Sequence, residues 1–140
     1  MDLRFFDTNN PRKYIVMDTN DKLFALRGAT SADNTELDIQ EKVTELYDTL
    51  LQRNSLKEDQ IVSVQFTITP DLTVLNPASA LRRSGKAQTI ALFAAAEPVI
   101  DGMLPHIIRV MIYCYLPRDH KAQHVYIYNA EGLRPDWVKK

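Results

Sequence analysis

Apolar and polar positions change period several times along the chain, and each change predicts an element. In IVSVQFTIT (61–69) the two kinds alternate. Val62, Val64, Phe66 and Ile68 share one face and Ser63, Gln65 and Thr67 the other, which is the pattern of a half-buried strand. Between Thr35 and Arg53 the period lengthens. Ile39, Val43, Leu46 and Leu50 fall at steps of four, three and four and predict one amphipathic helix. Thr35 and Asp38 have capping-box spacing, and Asn54 is placed to end the helix in a left-handed conformation. Ahead of it, KLFALRGAT (22–30) reads as a short strand ended by Gly28. After the turn TPDL (69–72), a short helix is expected over 77–84, with Asn76 as its cap, Pro77 at its first position and Gly85 past its end. TIALFAAAE (89–97) is a continuously apolar, small strand, HIIRVMIYCYL (106–116) a long one and HVYIYN (124–129) a last short one. Strands, helices and hairpin-like connections are mixed, so the expected class is α+β.

Two charges interrupt this pattern. In the long strand Ile108, Val110, Ile112, Cys114 and Leu116 are all apolar and predict the core face. Arg109 has the opposite parity and shares its face with Ile107, Met111, Tyr113 and Tyr115. A guanidinium among Tyr and Met needs a partner. Glu97, after the small residues LFAAA, is one candidate. Locally, an internal Glu97–Arg109 ion pair is the favoured account, and a pocket bordered by both is the other. Arg27 and Arg82 also sit at odd places, though each by itself reads as structural or solvated, and Arg82 suits the end of its helix dipole.

Composition narrows the classes. The 140 residues suggest one domain, and a formal charge of −1 gives no basic field for nucleic acid. The single cysteine, Cys114, forbids an intrachain disulfide and lies in an apolar run, as an inert buried thiol does. No apolar stretch has transmembrane length and no signal-peptide core is present, so the cytoplasm is the expected location. His120 and His124 have zinc-helix spacing but lack the accompanying Glu and a third ligand, and read as surface or loop histidines. Neither a Gly-rich phosphate loop nor a nucleophile elbow is present. Residues 1–21 are turn-rich around YIVM and are expected to form an extra strand or arm docked on the domain, 22–140, or on a neighbour.

Taken in order, LRGAT (26–30), TPDL (69–72), NPASALR (76–82), LPHIIRVMI (104–112), HVY (124–126) and LRPD (133–136) resemble the AroH class of chorismate mutases. The resemblance implies a mixed sheet with helices on one side, a homotrimer forming a pseudo β-barrel, and sites between adjacent subunits. It also implies the Claisen rearrangement of chorismate to prephenate, on the route to phenylalanine and tyrosine, with no cofactor and no metal. Arg27, Glu97 and Arg109 take the catalytic positions of that family. Arg27 is expected on a substrate carboxylate, Glu97 on the ring hydroxyl, and Arg109 at the ether oxygen and the enolpyruvyl carboxylate. Arg82 is expected from the neighbouring subunit, and Tyr126 near a carboxylate. Leu133 and Arg134 belong to a tail that closes over substrate. Asn76, Ala78 and the small strand Phe93, Ala94, Ala95 and Ala96 complete the expected binding residues. Asn76 stands where the family often has an aromatic and Ala94 where it often has Cys, so altered affinity is expected. The competing functions are a non-catalytic trimeric metabolite-binding or regulatory protein with the same pocket, and a trimeric deaminase of the Rid type, which has no place for RGAT and LRPD.

Overall fold

The structure, a computed structural model, describes residues 2–6, 14–18 and 20–138. Two early strands, β1 (Asp2–Phe6) and β2 (Tyr14–Asp18), pair antiparallel as a separate two-stranded sheet. The expected turn around residues 7–11 lies outside the described residues. The main sheet is built from β3 (Asp21–Ser31), β4 (Ile61–Ile68), β5 (Ala91–Ala96), β6 (Ile107–Pro117) and β7 (Val125–Tyr126), in the order β5-β4-β6-β3-β7. β6 runs antiparallel to both β3 and β4, while β5 and β7 lie parallel to their neighbours at the two edges. Helices α1 (Glu36–Arg53) and α2 (Pro77–Arg83) complete a mixed α+β fold.

The core lies between one sheet face and the helices. Ile39, Val43, Leu46, Tyr47 and Leu50 of α1 pack with Leu26, Val64, Phe66, Val110 and Ile112 of the sheet. Both helix starts are capped: Thr35 accepts from the Asp38 amide and Asn76 from that of Ala78, while the Asp38 carboxylate accepts from the Asp33 amide rather than closing the box on Thr35. Cys114 is fully buried, and burial pushes its thiol up to about 11, which removes it as a nucleophile at neutral pH.

Four local expectations are corrected. Gly28 does not end its strand, which continues to Ser31. A Cβ there would sit 2.8 Å from the Val125 carbonyl oxygen and 3.0 and 3.1 Å from Leu46 and Leu50 methyls. The glycine therefore serves close approach of β7 and α1 rather than a turn. Asn54 is not left-handed (φ −103°); Ser55 takes that conformation, at φ 48°. The buried Asn54 side chain instead donates to the carbonyls of Leu50 and Gln123 and accepts from the Gln123 amide and His120 Nε2. Val62 is 51% exposed, because a bulge between Ile61 and Ser63 makes it the extra residue of β4. Ile107 keeps its expected place off the main core and is buried in a second, smaller cluster with Ala29, Tyr126 and Ala130, under the C-terminal segment. The last predicted strand also shortens to Val125–Tyr126 and gives way to a 3-10 turn over Tyr128–Leu133.

Gly28→Ala is expected to destabilise the fold by about 1–3 kcal/mol through overpacking. Urea denaturation checks it, as a lower midpoint with an unchanged slope.

Candidate active site

The two helices leave the second face of the sheet open, and strand register assembles a site there. Arg27 lies opposite Met111, and Ala29 opposite Arg109, so the two arginines are diagonal neighbours on adjacent strands. On the other side of β6, Thr67 is directly opposite Arg109 and Gln65 opposite Met111. A cavity of about 220 Å³ is lined by Arg27, Gln65, Thr67, Arg109, Val110 and Met111.

Glu97 is carried to the same place by the edge strand. Its amide donates to the Ile68 carbonyl, extending the β4–β5 ladder by one step. Its carboxylate accepts a hydrogen bond from the Thr67 hydroxyl. Glu97 Oε1 also lies 3.0 Å from Arg109 Nε. The Nε–H is not aligned on that oxygen, so the contact is an ion pair without a hydrogen bond. The Glu97 side chain is 11% exposed and that of Arg109 is 39% exposed. The carboxylate is thus held in place while part of the guanidinium faces the cavity. The ion pair favoured locally is therefore present, and of the two charges it is Arg109 that borders the cavity.

Arg27 differs from Arg109. Among the described residues no carboxylate pairs with it. Its guanidinium lies 5.8 Å from the centre of the Trp137 ring, and its backbone amide donates to His124 Nδ1.

The other expected residues do not line this cavity. Arg82 and Asn76 are exposed at the two ends of α2. Ala78 is buried in the main core, and its amide is taken by Asn76. Phe93, Ala95 and Ala96 are exposed on β5, and Ala94 is half-buried. Tyr126 is buried in the smaller cluster, with Leu133 packed against it. Arg134 forms a two-pronged contact with Asp136, at 3.1 and 2.8 Å. Sequence reading missed Gln65, Thr67 and Met111 as site residues. The signal was present in the alternation of β4, which puts Gln65 and Thr67 on the face away from the core.

Comparison with known proteins decides the family. Residues 23–137 match chorismate mutase type I. The chain belongs to the chorismate mutase type I family. It is 32% identical over 114 residues to chorismate mutase AroH of Bacillus subtilis, across 79% of this chain and 89% of the relative. It is 36% identical over 115 residues to chorismate mutase AroH of Thermus thermophilus, across 79% of this chain and 93% of the relative. A solved chorismate mutase from Clostridium thermocellum superposes with a TM-score of 0.68 at 35% identity, covering 78% of this chain and 98% of that one. The resemblance seen in the motifs is thereby borne out.

His120 and His124 are loop histidines, as one of the two expected readings has it, half-buried and engaged with Asn54 and with the Arg27 amide. Among the described residues no group of three or more His, Cys, Asp and Glu has the arrangement to hold a metal ion. No helix there is long and apolar enough to cross a membrane.

Proposed function

We propose that this chain is an isomerase that rearranges chorismate to prephenate, with Arg27, Glu97 and Arg109 at the reacting molecule. The observation that carries this reading is the convergence of Arg27 and Arg109 on one open cavity, with Glu97 fixed beside Arg109. The reaction is intramolecular: one ether C–O bond breaks as one C–C bond forms, and no proton is gained or lost. A nucleophile and a general base are therefore unnecessary. The protein has to hold a flexible dianion in its compact conformer and stabilise charge growing on the ether oxygen.

These residues suit both tasks. Arg27, with no carboxylate partner among the described residues, is available to a substrate carboxylate, and the planar guanidinium fixes its geometry. Arg109 supplies a permanent cation at the breaking bond. Glu97 holds that cation through the ion pair and accepts from the ring hydroxyl. Ordered by Thr67 and Arg109 before substrate arrives, it needs little reorganisation.

The site of a single chain is incomplete in this reading. Arg82 is exposed, away from the cavity, and no carboxylate among the described residues pairs with it. The open sheet face presents Leu23, Phe93 and Tyr115, large apolar groups 51%, 65% and 45% exposed. Such a face is typical of a subunit contact. A homotrimer closed as a pseudo β-barrel, with Arg82 of one subunit entering the cavity of the next, accounts for both features. The enzyme then serves phenylalanine and tyrosine formation in the cytoplasm, as a domain over 22–140 with 1–21 as an appended arm.

The direct test follows the loss of chorismate ultraviolet absorbance with purified protein. Turnover far above the buffer rate supports the assignment. A rate equal to buffer, from a protein that still binds chorismate, favours a binding or regulatory role.

A further inference from the structure

The C-terminal segment carries a feature that the proposed reaction does not explain. Trp137 is stacked on His124, with ring centroids 3.9 Å apart and planes 20° from parallel. The Arg134 guanidinium carbon is 3.3 Å from the centre of the same indole. Two planar groups that close to one ring centre cannot share a face, so the indole is sandwiched between imidazole and guanidinium. Asp136 holds Arg134 in that position. Behind the sandwich, Trp137 and Val138 pack on the small cluster of Ala29, Ile107, Tyr126 and Ala130.

Through His124 the sandwich is hydrogen-bonded to β3 at Arg27. β7 begins its parallel ladder only at Val125, opposite Gly28. The Arg27 amide, one step earlier, has no strand partner on that side. His124 Nδ1 accepts from it at 3.0 Å, so a side chain replaces the missing strand. Nδ1 can accept only in the neutral tautomer protonated at Nε2. Burial first, and then the positive charges of Arg27 and Arg134, hold the imidazole below its ordinary range. It is therefore neutral at neutral pH, and the acceptor is present. With both faces covered at the ring centre, the Arg27 guanidinium, 5.8 Å from that centre, meets the indole obliquely, at the outer edge of cation–π range.

We propose that His124 and Trp137 are positioning residues for Arg27: His124 fixes its backbone, and Trp137 narrows the range of its guanidinium. This deepens the site reading above and rests on Arg27 as a carboxylate ligand. The effect falls on capture of the dianion, because Arg27 contacts a carboxylate that persists through the reaction. Losing such a contact raises KM more than it lowers kcat.

The test uses the full chain with four substitutions: Trp137→Ala, Trp137→Phe, His124→Leu and Arg27→Ala. Trp137→Ala and His124→Leu are expected to raise KM for chorismate about threefold to tenfold, the scale of a partly desolvated cation–π contact, with kcat changed by less than about twofold. Trp137→Phe keeps an aromatic face and is expected to recover most of the loss. A KM unchanged in Trp137→Ala overturns the proposal, as does a Phe variant no better than Ala. Arg27→Ala separates the two readings. If it raises KM and Trp137→Ala does not, the positioning role falls alone; if it leaves KM unchanged, the assignment of Arg27 falls first.

A second readout is independent of turnover. Trp137 is the single tryptophan of the chain, so its fluorescence reports the stack directly. The charged groups facing the imidazole are Arg27 from β3 and Arg134 from the tail, with Asp136 paired to the latter. Protonation quenches a stacked indole, so emission is expected to drop on acidification with a midpoint below the ordinary 6.5 of histidine. The step should vanish in His124→Leu. A wild-type protein without the step lacks the stack, and the proposal fails.

Discussion

Arg109→Ala is expected to reduce kcat for chorismate by about 10²–10³, the loss typical of one preorganised donor at a developing oxyanion. The size follows from what the side chain alone supplies. It reaches the cavity from the face of β6 that the helices leave open, and it is the cation held by Glu97. No water or neighbouring lysine can reproduce a fixed charge at the ether oxygen without reorganising during the step. Arg109→Lys is expected to recover little, because a single ammonium cannot contact both Glu97 and the substrate in the geometry of a planar fork. Removing the arginine also strands Glu97, which is 11% exposed, beside Thr67. A charge left so poorly solvated opposes binding of a dianion, so KM should rise as well. Circular dichroism separates this from unfolding, since Arg109 is outside the main core cluster. A variant retaining near-native kcat would remove Arg109 from the reaction.

The contrast between what the pattern carried and what it did not is clearest in the strands. In β6 the parity of Ile108 to Leu116 identified the core face, and burial agrees residue by residue. Parity then assigned Arg109 to the opposite face, where it lies. The same rule keeps Ile107 off the main core, where it lies, but does not show that it is buried. A second small cluster covers the end of the sheet where the C-terminal segment returns, and no local pattern announces a segment folding back from residues 125 to 138. In β4 the rule failed at Val62. A bulge inserts one residue, and the alternation of VSVQF is equally regular with or without it.

Gly28 and Asn54 show the limit for single residues. A glycine is legible as a position that excludes a side chain, but a turn and a crowded strand leave the same mark. Only the approach of Leu46, Leu50 and Val125 decides between them. Asn54 follows a helix, where a left-handed cap is common, yet its amide is spent on Gln123 and His120, more than sixty residues away. The site was legible in its charged members because charges among apolar residues stand out. Gln65, Thr67, His124 and Trp137 are ordinary in composition and gain their places only through register and the returning tail.

Mixing two inactive variants is expected to restore activity if the site spans subunits. Arg82→Ala keeps its cavity with Arg27, Glu97 and Arg109, and Arg109→Ala keeps an intact α2 with Arg82. In a closed cyclic trimer each site pairs one subunit's cavity with the next subunit's helix. After subunit exchange at equal proportions, a site is complete when an Arg82→Ala chain supplies the cavity and an Arg109→Ala chain supplies the helix. Random assembly makes that combination at about a quarter of all sites, because cyclic symmetry fixes which neighbour faces which. The mixture should thus reach about a quarter of wild-type turnover while each parent alone stays low. Recovery depends on exchange, so the mixture is unfolded and refolded together, and refolded parents serve as controls. If the proposed subunit contact uses the open sheet face, where Phe93 and Tyr115 are exposed, Phe93→Asp in both parents should lower the assembled mass and abolish the recovery. A mixture no more active than the mean of its parents, from a protein whose mass shows assembly, would mean that no site combines Arg82 of one chain with Arg109 of another. Recovery near a quarter leaves only one arrangement: the guanidinium exposed on α2 reaches the dianion held by another chain.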